Sequence, residues 1–297
     1  MDLSVIIPAR NEEFLAITID SVFSNATANT EVIGVLDGYW PDPPIIDNPR
    51  VTLIHHTQFV GQRAATNDGV KLSKAKYIMK VDAHCAFEKG FDTKLIKDCE
   101  PDWTVIPMMY NLHAFNLVCV SCRHTIYQAP EIPCPKCGGK MERKMIWAPR
   151  RGRKTWLWMF DKDLRFQYWR EANGRPEIKP GIIETMSFLG AVWFMERERY
   201  WEIDGLDENH GFWGQVGTEF ACKSWLSGGK LVTNKNTWVA HFFRTQFGWP
   251  YRISQNHIDK VREYSRDLWL NNKWPKQKYP LQWLVDRFAP VPTWHTT

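Results

Sequence analysis

Short apolar runs alternate with helical stripes along the first hundred residues. The runs are Leu3 to Pro8, Glu31 to Asp37, Val51 to His55 and Tyr77 to Asp82. Between the first two, Leu15, Ile19, Val22 and Phe23 recur at helical spacing, and Glu12 and Glu13 sit at the positive end of that helix. This alternation predicts an α/β domain around a largely parallel sheet. In such sheets ligands collect beyond the carboxyl ends of the strands. Three polar stretches fall there: Pro8-Ala9-Arg10-Asn11-Glu12, Leu36-Asp37-Gly38 and Asp82-Ala83-His84.

A further strand is expected over Trp103 to Met109, after which the pattern breaks. A cysteine-bearing segment follows, then the basic run Arg150-Arg151-Gly152-Arg153-Lys154 and the aromatic stretch Trp156 to Phe160. Order returns with two apolar runs around Gly190, helices over Glu198 to Ile203 and about Thr218 to Ser227, and a strand ending in Val239-Ala240-His241. The clear element of the tail is a helix capped by Ser254, with Ile258, Val261, Tyr264 and Leu268 on one face. The expected divisions are 1–109, an insertion over 110–155, a second half over 156–245, and an aromatic-rich tail over 246–297.

Composition adds little to the fold and something to the chemistry. With 297 residues, 44% apolar and 24% charged, the chain has an ordinary globular balance. Its 16 Trp, 16 Phe and 9 Tyr exceed what one core normally uses, which points to surfaces that stack on sugar rings or bases. A net charge of +5 favours phosphate-bearing partners without requiring them. No apolar stretch reads as a leader or a span, so a cytoplasmic protein with reduced cysteines and no membrane partner is expected. Oligomeric state is not legible.

The segment Lys80-Val81-Asp82-Ala83-His84-Cys85 carries the first chemical signal. Side chains two apart on extended backbone point to one side, so Asp82 and His84 either grip a cation together or are polar residues at a strand's end. Context decides. VIIPARNEE, VLDGYWPD and GQRAATNDGVKLSKAKYIMKVDAHC follow one another in order. Downstream, FLGAVWFMERERYWEIDGLDENHGFWGQVGTEFACKSWLSGG leads into VAHFFR. The chain resembles a family-2-like glycosyltransferase of the GT-A (Rossmann-like) α/β fold, and the Asp-x-His-Cys motif is similar to that of the polypeptide N-acetylgalactosaminyltransferases. The likeness covers about residues 1 to 110 and 182 to 245; its motifs are weak singly and fairly specific in their order.

The resemblance implies a UDP-sugar donor and a divalent ion, Mn²⁺ or Mg²⁺, held by Asp82, His84 and His241. A carboxylate with imidazoles suits such an ion and leaves positions for phosphate oxygens. It also implies that Asp37 contacts the base or ribose and that Pro8, Arg10, Glu12 and Gly190 line the donor pocket. Arg63 and Asn67 would face the nucleotide, Arg63 offering a planar fork to phosphate. The plain alternatives are a solvated loop acid for Asp37 and an ordinary helix-surface arginine for Arg63. The block Trp213-Gly214-Gln215-Val216-Gly217-Thr218-Glu219 departs from the family pattern at Val216, where a Glu is usual. Glu219 or Asp207 is then the expected general base, unless either is simply a charge at a helix start. The stereochemical outcome stays open.

Cys119-x2-Cys122 and Cys134-x2-Cys137-Gly138-Gly139 resemble a zinc ribbon, with four thiolates for one structural Zn²⁺. The alternative, two disulfides, suits an exported protein. Cys85, Cys99 and Cys222 then remain as small buried apolar residues. A ribbon followed by the basic run and by Trp156 and Trp158 matches the needs of a phosphate backbone with a base to stack. The leading expectation for the acceptor is therefore a hydroxymethylated pyrimidine in DNA, flipped from the duplex. Two alternatives stand beside it: a transferase acting on a protein Ser/Thr or a glycan, and a non-catalytic nucleic-acid-binding ribbon on a degenerate transferase scaffold.

Overall fold

The computed structural model describes residues 1–244, 248 and 250–294. In chain order the strands are β1 (Leu3–Ala9), β2 (Thr30–Asp37), β3 (Val51–His56), β4 (Tyr77–Val81), β5 (Cys85–Phe87), β6 (Trp103–Cys119), β7 (Thr125–Tyr127), β8 (Met141–Thr155), β9 (Trp158–Phe160), β10 (Phe166–Tyr168), β11 (Ile182–Glu184), β12 (Val192–Glu196) and β13 (Lys230–His241). The helices are α1 (Leu15–Asn25), α2 (Gln62–Leu72), α3 (Phe91–Lys97), α4 (Arg197–Glu202), α5 (Val216–Leu226), α6 (Gln255–Leu270) and α7 (Leu281–Arg287). No helix among the described residues is long and apolar enough to cross a membrane.

One sheet runs in the order β11-β13-β6-β12-β4-β1-β2-β3. The pairs β1–β2, β1–β4 and β2–β3 are parallel, as the alternation of runs and stripes predicts. Beyond β4 the sheet becomes mixed, because β12 enters antiparallel to both β4 and β6. The chain leaves β1 toward β2 on one side and returns to β4 on the other. The crevice beyond their carboxyl ends is the switch point at which open α/β sheets bind ligands. Strand β1 is apolar apart from Ser4 and buried along most of its length, as expected for a strand covered on both faces. Helix α2 lies close on it: a Cβ at Gly69 would come within 2.5 Å of Ile6 Cγ2.

Two expectations are corrected. The strand beginning at Trp103 does not end at Met109 but continues to Cys119, paired along its outer half with β8. The segment 110–155 is thus an arm grown from the core sheet, with the cysteines at its tip. Register shifts between Tyr110 and Leu112 and between His113 and Phe115 interrupt the alternation that would have announced it. Trp158, expected as a stacking surface, is fully buried in the main core. Trp156 is half-buried and lies near the ammonium groups of Lys154 and Lys235. The tail holds α7 as well as the Ser254-capped helix, and Ser254 accepts the His257 amide at 3.2 Å. The boundary drawn between 245 and 246 lies outside the described residues.

Candidate metal and nucleotide-sugar site

The site assembles where β4 stops. Past Val81 the chain places Asp82 and His84, then turns into β5, whose Cys85 pairs in register with His241 at the end of β13. A further bond, from the Phe242 amide to the His84 carbonyl at 3.1 Å, ties the two segments together. Register therefore brings His241 beside Asp82 and His84 across more than 150 positions of sequence. His241 Nε2 lies 3.1 Å from Asp82 Oδ2 and 3.1 Å from His84 Nε2. All three ligand atoms fall within 4.8 Å of one another. Bonds of about 2.1 Å at right angles would separate neighbouring donors by about 3.0 Å, so the set fits a divalent ion.

The protonation states agree with that fit. His84 Nδ1 is 2.8 Å from Glu12 Oε2; it must donate, since a carboxylate only accepts, and this leaves the Nε2 lone pair facing the cluster. Burial lowers His241 to about 4, so its ring is neutral near pH 7. Its Nδ1 is buried without a hydrogen-bond partner among the described residues. For Asp82, burial alone would raise the pKa, but Lys80, His241 and His84 together pull it well below the usual carboxylate range. Glu12 is also held low, burial being outweighed by His84 and Arg244, whose guanidinium lies 2.5 and 2.6 Å from its two oxygens.

Two hollows meet at these side chains. The smaller is lined by Pro8, Arg10, Glu12, Asp37, Phe59 and Tyr251 among others, the larger by Phe188, Gly190, the 213–218 segment, Phe243 and Val261 among others. Asp82, His84, Gln62, Trp213 and Arg244 belong to both. The larger has a cavity volume of about 660 Å³, within the range of small-molecule sites. Pro8, Arg10, Glu12 and Asp37 thus share one hollow beside Asp82, while Gly190 lines the larger one. Asp37 is buried, and its carboxylate accepts the Val60 and Gly61 amides at 2.7 and 3.0 Å; it shapes the entry to α2 rather than standing as a solvated loop acid. Gly190 has φ +88°, and a Cβ there would meet the Gly217 amide nitrogen at 2.8 Å, so only glycine lets this wall approach α5.

The other expected residues lie elsewhere. Arg63 does not offer a fork to phosphate: its guanidinium is buried and fully engaged, with Glu219 at 2.9 Å and the Gly211 and Gly214 carbonyls at 2.8 and 2.7 Å. Asn67 is likewise turned toward the Leu206 backbone, Glu208 and Tyr200. Glu219 is 0% exposed, and besides Arg63 it holds Lys223 at 3.0 Å and the Asp207 amide at 2.7 Å. Burial would raise its pKa, but Lys223, Arg63 and His210 keep it at about 2. A carboxylate sealed from solvent and bound on both oxygens has no access to an acceptor hydroxyl. Asp207 lines neither hollow and is occupied by Tyr264 and Asn209. These residues form a buried charged joint that fixes the Trp213–Gly217 wall to α2.

The residue that sequence reasoning passed over is Lys80. It is fully buried in β4, bonds to Asp82 Oδ1, and reaches the Gly190 and Ala191 carbonyls at 3.2 Å. A signal was present, because a lysine inside the apolar strand Tyr-Ile-Met-Lys-Val needs a buried partner.

At the tip of the arm the four cysteines converge. Cys119–Cys137 and Cys122–Cys137 sulfurs are 3.5 Å apart and Cys122–Cys134 3.6 Å; none is paired as a disulfide. Tetrahedral Zn–S bonds of about 2.3 Å place sulfurs about 3.8 Å apart, so the set fits zinc. The Cys122 amide points at Cys119 Sγ and lowers that thiol to about 6. Gly138, at φ +71°, makes the second knuckle. Cys85 and Cys222 are buried, and Cys99 is half-buried.

Residues 4–112 match the family described as Glycosyl transferase family 2. Over 270 residues the chain is 22% identical to a putative polypeptide N-acetylgalactosaminyltransferase 13 of Drosophila melanogaster, covering 84% of this chain and 43% of that protein. It is 28% identical over 91 residues to a probable N-acetylgalactosaminyltransferase 9 of Caenorhabditis elegans, covering 30% of this chain and 15% of that protein. Among solved structures, GalNAc-T7 with UDP, GalNAc and Mn²⁺ is similar at a TM-score of 0.62 and 16% identity, over 91% of this chain and 49% of that one. S. aureus TarS is similar at 0.51 and 12%, over 96% and 41%. The chain thus spans about half, or less, of the length of these relatives. Residues 4–112 thus resemble family 2 glycosyltransferases, on a chain whose mixed α/β fold is of the GT-A type and which is distantly similar to the polypeptide GalNAc-transferases.

Proposed function

We propose that this protein moves a sugar from a UDP-sugar to a hydroxyl acceptor with the help of a divalent ion. The observation that carries this reading is the convergence of Asp82, His84 and His241 at the meeting point of two hollows. The smaller hollow, at the ends of β1 and β2, takes the nucleotide; the larger takes the sugar and the acceptor. An ion held by the three side chains supplies Lewis-acid neutralisation of charge on the departing diphosphate. Glu12 sets the His84 tautomer and Arg244 sets Glu12, so His84 presents its Nε2 lone pair without rearrangement.

Among the described residues, Asp82 is the one carboxylate that lines the large cavity. An inverting transferase needs a protein base near the acceptor hydroxyl, and with Glu219 sealed away none stands there. This supports the retaining outcome. The curated relatives carry the names of polypeptide transferases, which favours a Ser or Thr hydroxyl of a protein as acceptor over a base in DNA. The DNA reading keeps the exposed cations Arg151, Arg153 and Lys154 of β8 but has lost Trp158 as a stacking platform. Decay to a non-catalytic module is disfavoured by the assembled donor set.

The test is to incubate the protein and Mn²⁺ with a panel of UDP-sugars and either Ser/Thr peptides or hydroxymethylated DNA, and to read product masses. A peptide gaining one hexose or hexosamine is the expected result. Product on DNA alone would reverse the acceptor assignment. Neither transfer nor hydrolysis of any UDP-sugar would overturn the enzymatic reading.

A further inference from the structure

We propose that Lys80 is a positioning residue that makes the divalent-ion site depend on the nucleotide: it leaves Asp82 one oxygen for the ion and cancels the charge that would otherwise attract it. This rests on the donor-site reading above.

The geometry is specific. Lys80 lies on the β4 face toward the β12 entry loop, with no exposed surface, and its ammonium is shared between Asp82 Oδ1 and the carbonyls of Gly190 and Ala191. Gln62 adds a long contact to the same oxygen at 3.4 Å. Oδ1 is therefore occupied from the protein side, and Oδ2 is the oxygen that faces His241. The carboxylate is clamped in a one-oxygen pose. Freely rotating, it would have both oxygens available to a cation.

The charge count gives the second half of the argument. Around the small hollow and beneath it stand Arg10, Lys80 and Arg244 against Glu12, Asp37 and Asp82. Three cations offset three carboxylates. Affinity for a hard divalent ion rises with the charge of its oxygen ligands, and here that charge is cancelled. Most of the attraction for a dication must then come from the diphosphate of the nucleotide. Linkage makes the effect reciprocal: whatever factor the nucleotide adds to ion affinity, the ion adds to nucleotide affinity. Lys80 is the member of the set that acts on the ligand directly, and at a few ångströms in a buried setting an added positive charge opposes a dication strongly.

The experiment is direct Mn²⁺ binding, read from the EPR signal of free Mn²⁺ with and without UDP, on the wild-type chain, Lys80→Met and Lys80→Arg. In the wild type, UDP should tighten Mn²⁺ by about tenfold or more. Lys80→Met should bind Mn²⁺ alone at least about tenfold more tightly and lose most of the UDP dependence, whereas Lys80→Arg, which keeps the charge, should stay near the wild type. A wild-type chain that binds Mn²⁺ equally well without UDP overturns the proposal, whatever the variants do and whether or not Lys80→Met folds. So does a folded Lys80→Met with unchanged Mn²⁺ affinity. No Mn²⁺ binding even with UDP removes the donor-site reading as well, and the two failures are thereby told apart.

Discussion

His84 and His241 face each other through their Nε2 atoms at 3.1 Å, although 157 positions separate them in the chain. Glu12 already takes the His84 proton at Nδ1, so the nearest atoms of the pair are a lone pair and a second ring nitrogen, with Asp82 Oδ2 completing the group. Such a group is costly while it holds no cation, since buried polar atoms without full partners lose several kcal/mol at about 1–3 kcal/mol each. Removing a histidine donor should therefore cost function rather than fold. His241→Ala or EDTA is expected to abolish sugar transfer while the melting temperature stays within a few degrees; Asp82→Ala should abolish it too, with a clear fall in melting temperature because Lys80 loses its buried partner. Undiminished turnover in metal-free buffer would refute the role given to the ion.

Glu12 gives a second test, because it acts through His84. Glu12→Gln keeps the shape, but an amide can offer its NH2 group to Nδ1 and so favour the wrong tautomer, with the proton on Nε2. Loss of a carboxylate that orients a metal-bound histidine typically lowers metal affinity 10–100-fold. The same range is expected for Mn²⁺ in the presence of UDP, by calorimetry. Equal affinity would mean that Glu12 does not fix the ring.

How far the sequence discloses this site can be argued from single residues. Asp82 and His84 are visible because period two puts them on one side of a strand end. His241 is visible only through family likeness, since its place depends on the pairing of β5 with β13, a register that no local pattern encodes. Arg63 and Glu219 are polar residues near helix starts, and a polar residue there reads as surface. What the sequence does not reveal is that α2 and α5 face each other, so that both charges are sealed in one joint. The arm was hidden for a different reason: the bulges in β6 break its alternation. Strands β1, β2 and β4 were legible because strands buried on both faces read as mostly apolar runs.

The sealed joint has its own consequences for stability. Glu219→Ala leaves Arg63 and Lys223 buried without their carboxylate, and breaking a buried pair from one side costs about 3–5 kcal/mol. A clear fall in melting temperature is expected, in parallel with lost activity. A variant with native stability and a specific loss of kcat would restore Glu219 as the general base.

The same joint makes a pH prediction. His210 is buried, its ring nitrogens have no hydrogen-bond partner among the described residues, and burial lowers it to about 4. The unfolded chain takes up that proton near 6.5, so the unfolded state holds more protons between 6.5 and 4 and folding stability falls as pH falls through that window. Glu219, held at about 2, adds a second loss between about 4.5 and 2, with the same sign. Melting temperature should decline below pH 6.5, and the loss from His210 should reach roughly 2–3 kcal/mol by pH 4. Replacing it by Phe, which keeps the ring packed on Tyr264, should flatten the upper part of the decline. An unchanged profile in His210→Phe would place the titration elsewhere.

The cysteine tip yields the last prediction, and it separates a structural metal from a catalytic one. The four sulfurs form a closed set with no position left for a substrate, and they stand at the end of the β6–β8 arm rather than at the hollows. A closed thiolate site contributes folding energy to the segment that carries it. Elemental analysis should find one zinc per chain, and Cys134→Ser should lose it. Because β6 is anchored in the core sheet through Trp103 to Met109, the loss should stay local: proteolysis should open the arm near residues 120–140 while the core keeps its melting transition and its UDP-dependent Mn²⁺ binding. Unchanged zinc in Cys134→Ser would exclude the four-sulfur site. Zinc lost together with Mn²⁺ binding would show instead that the arm helps to build the donor pocket.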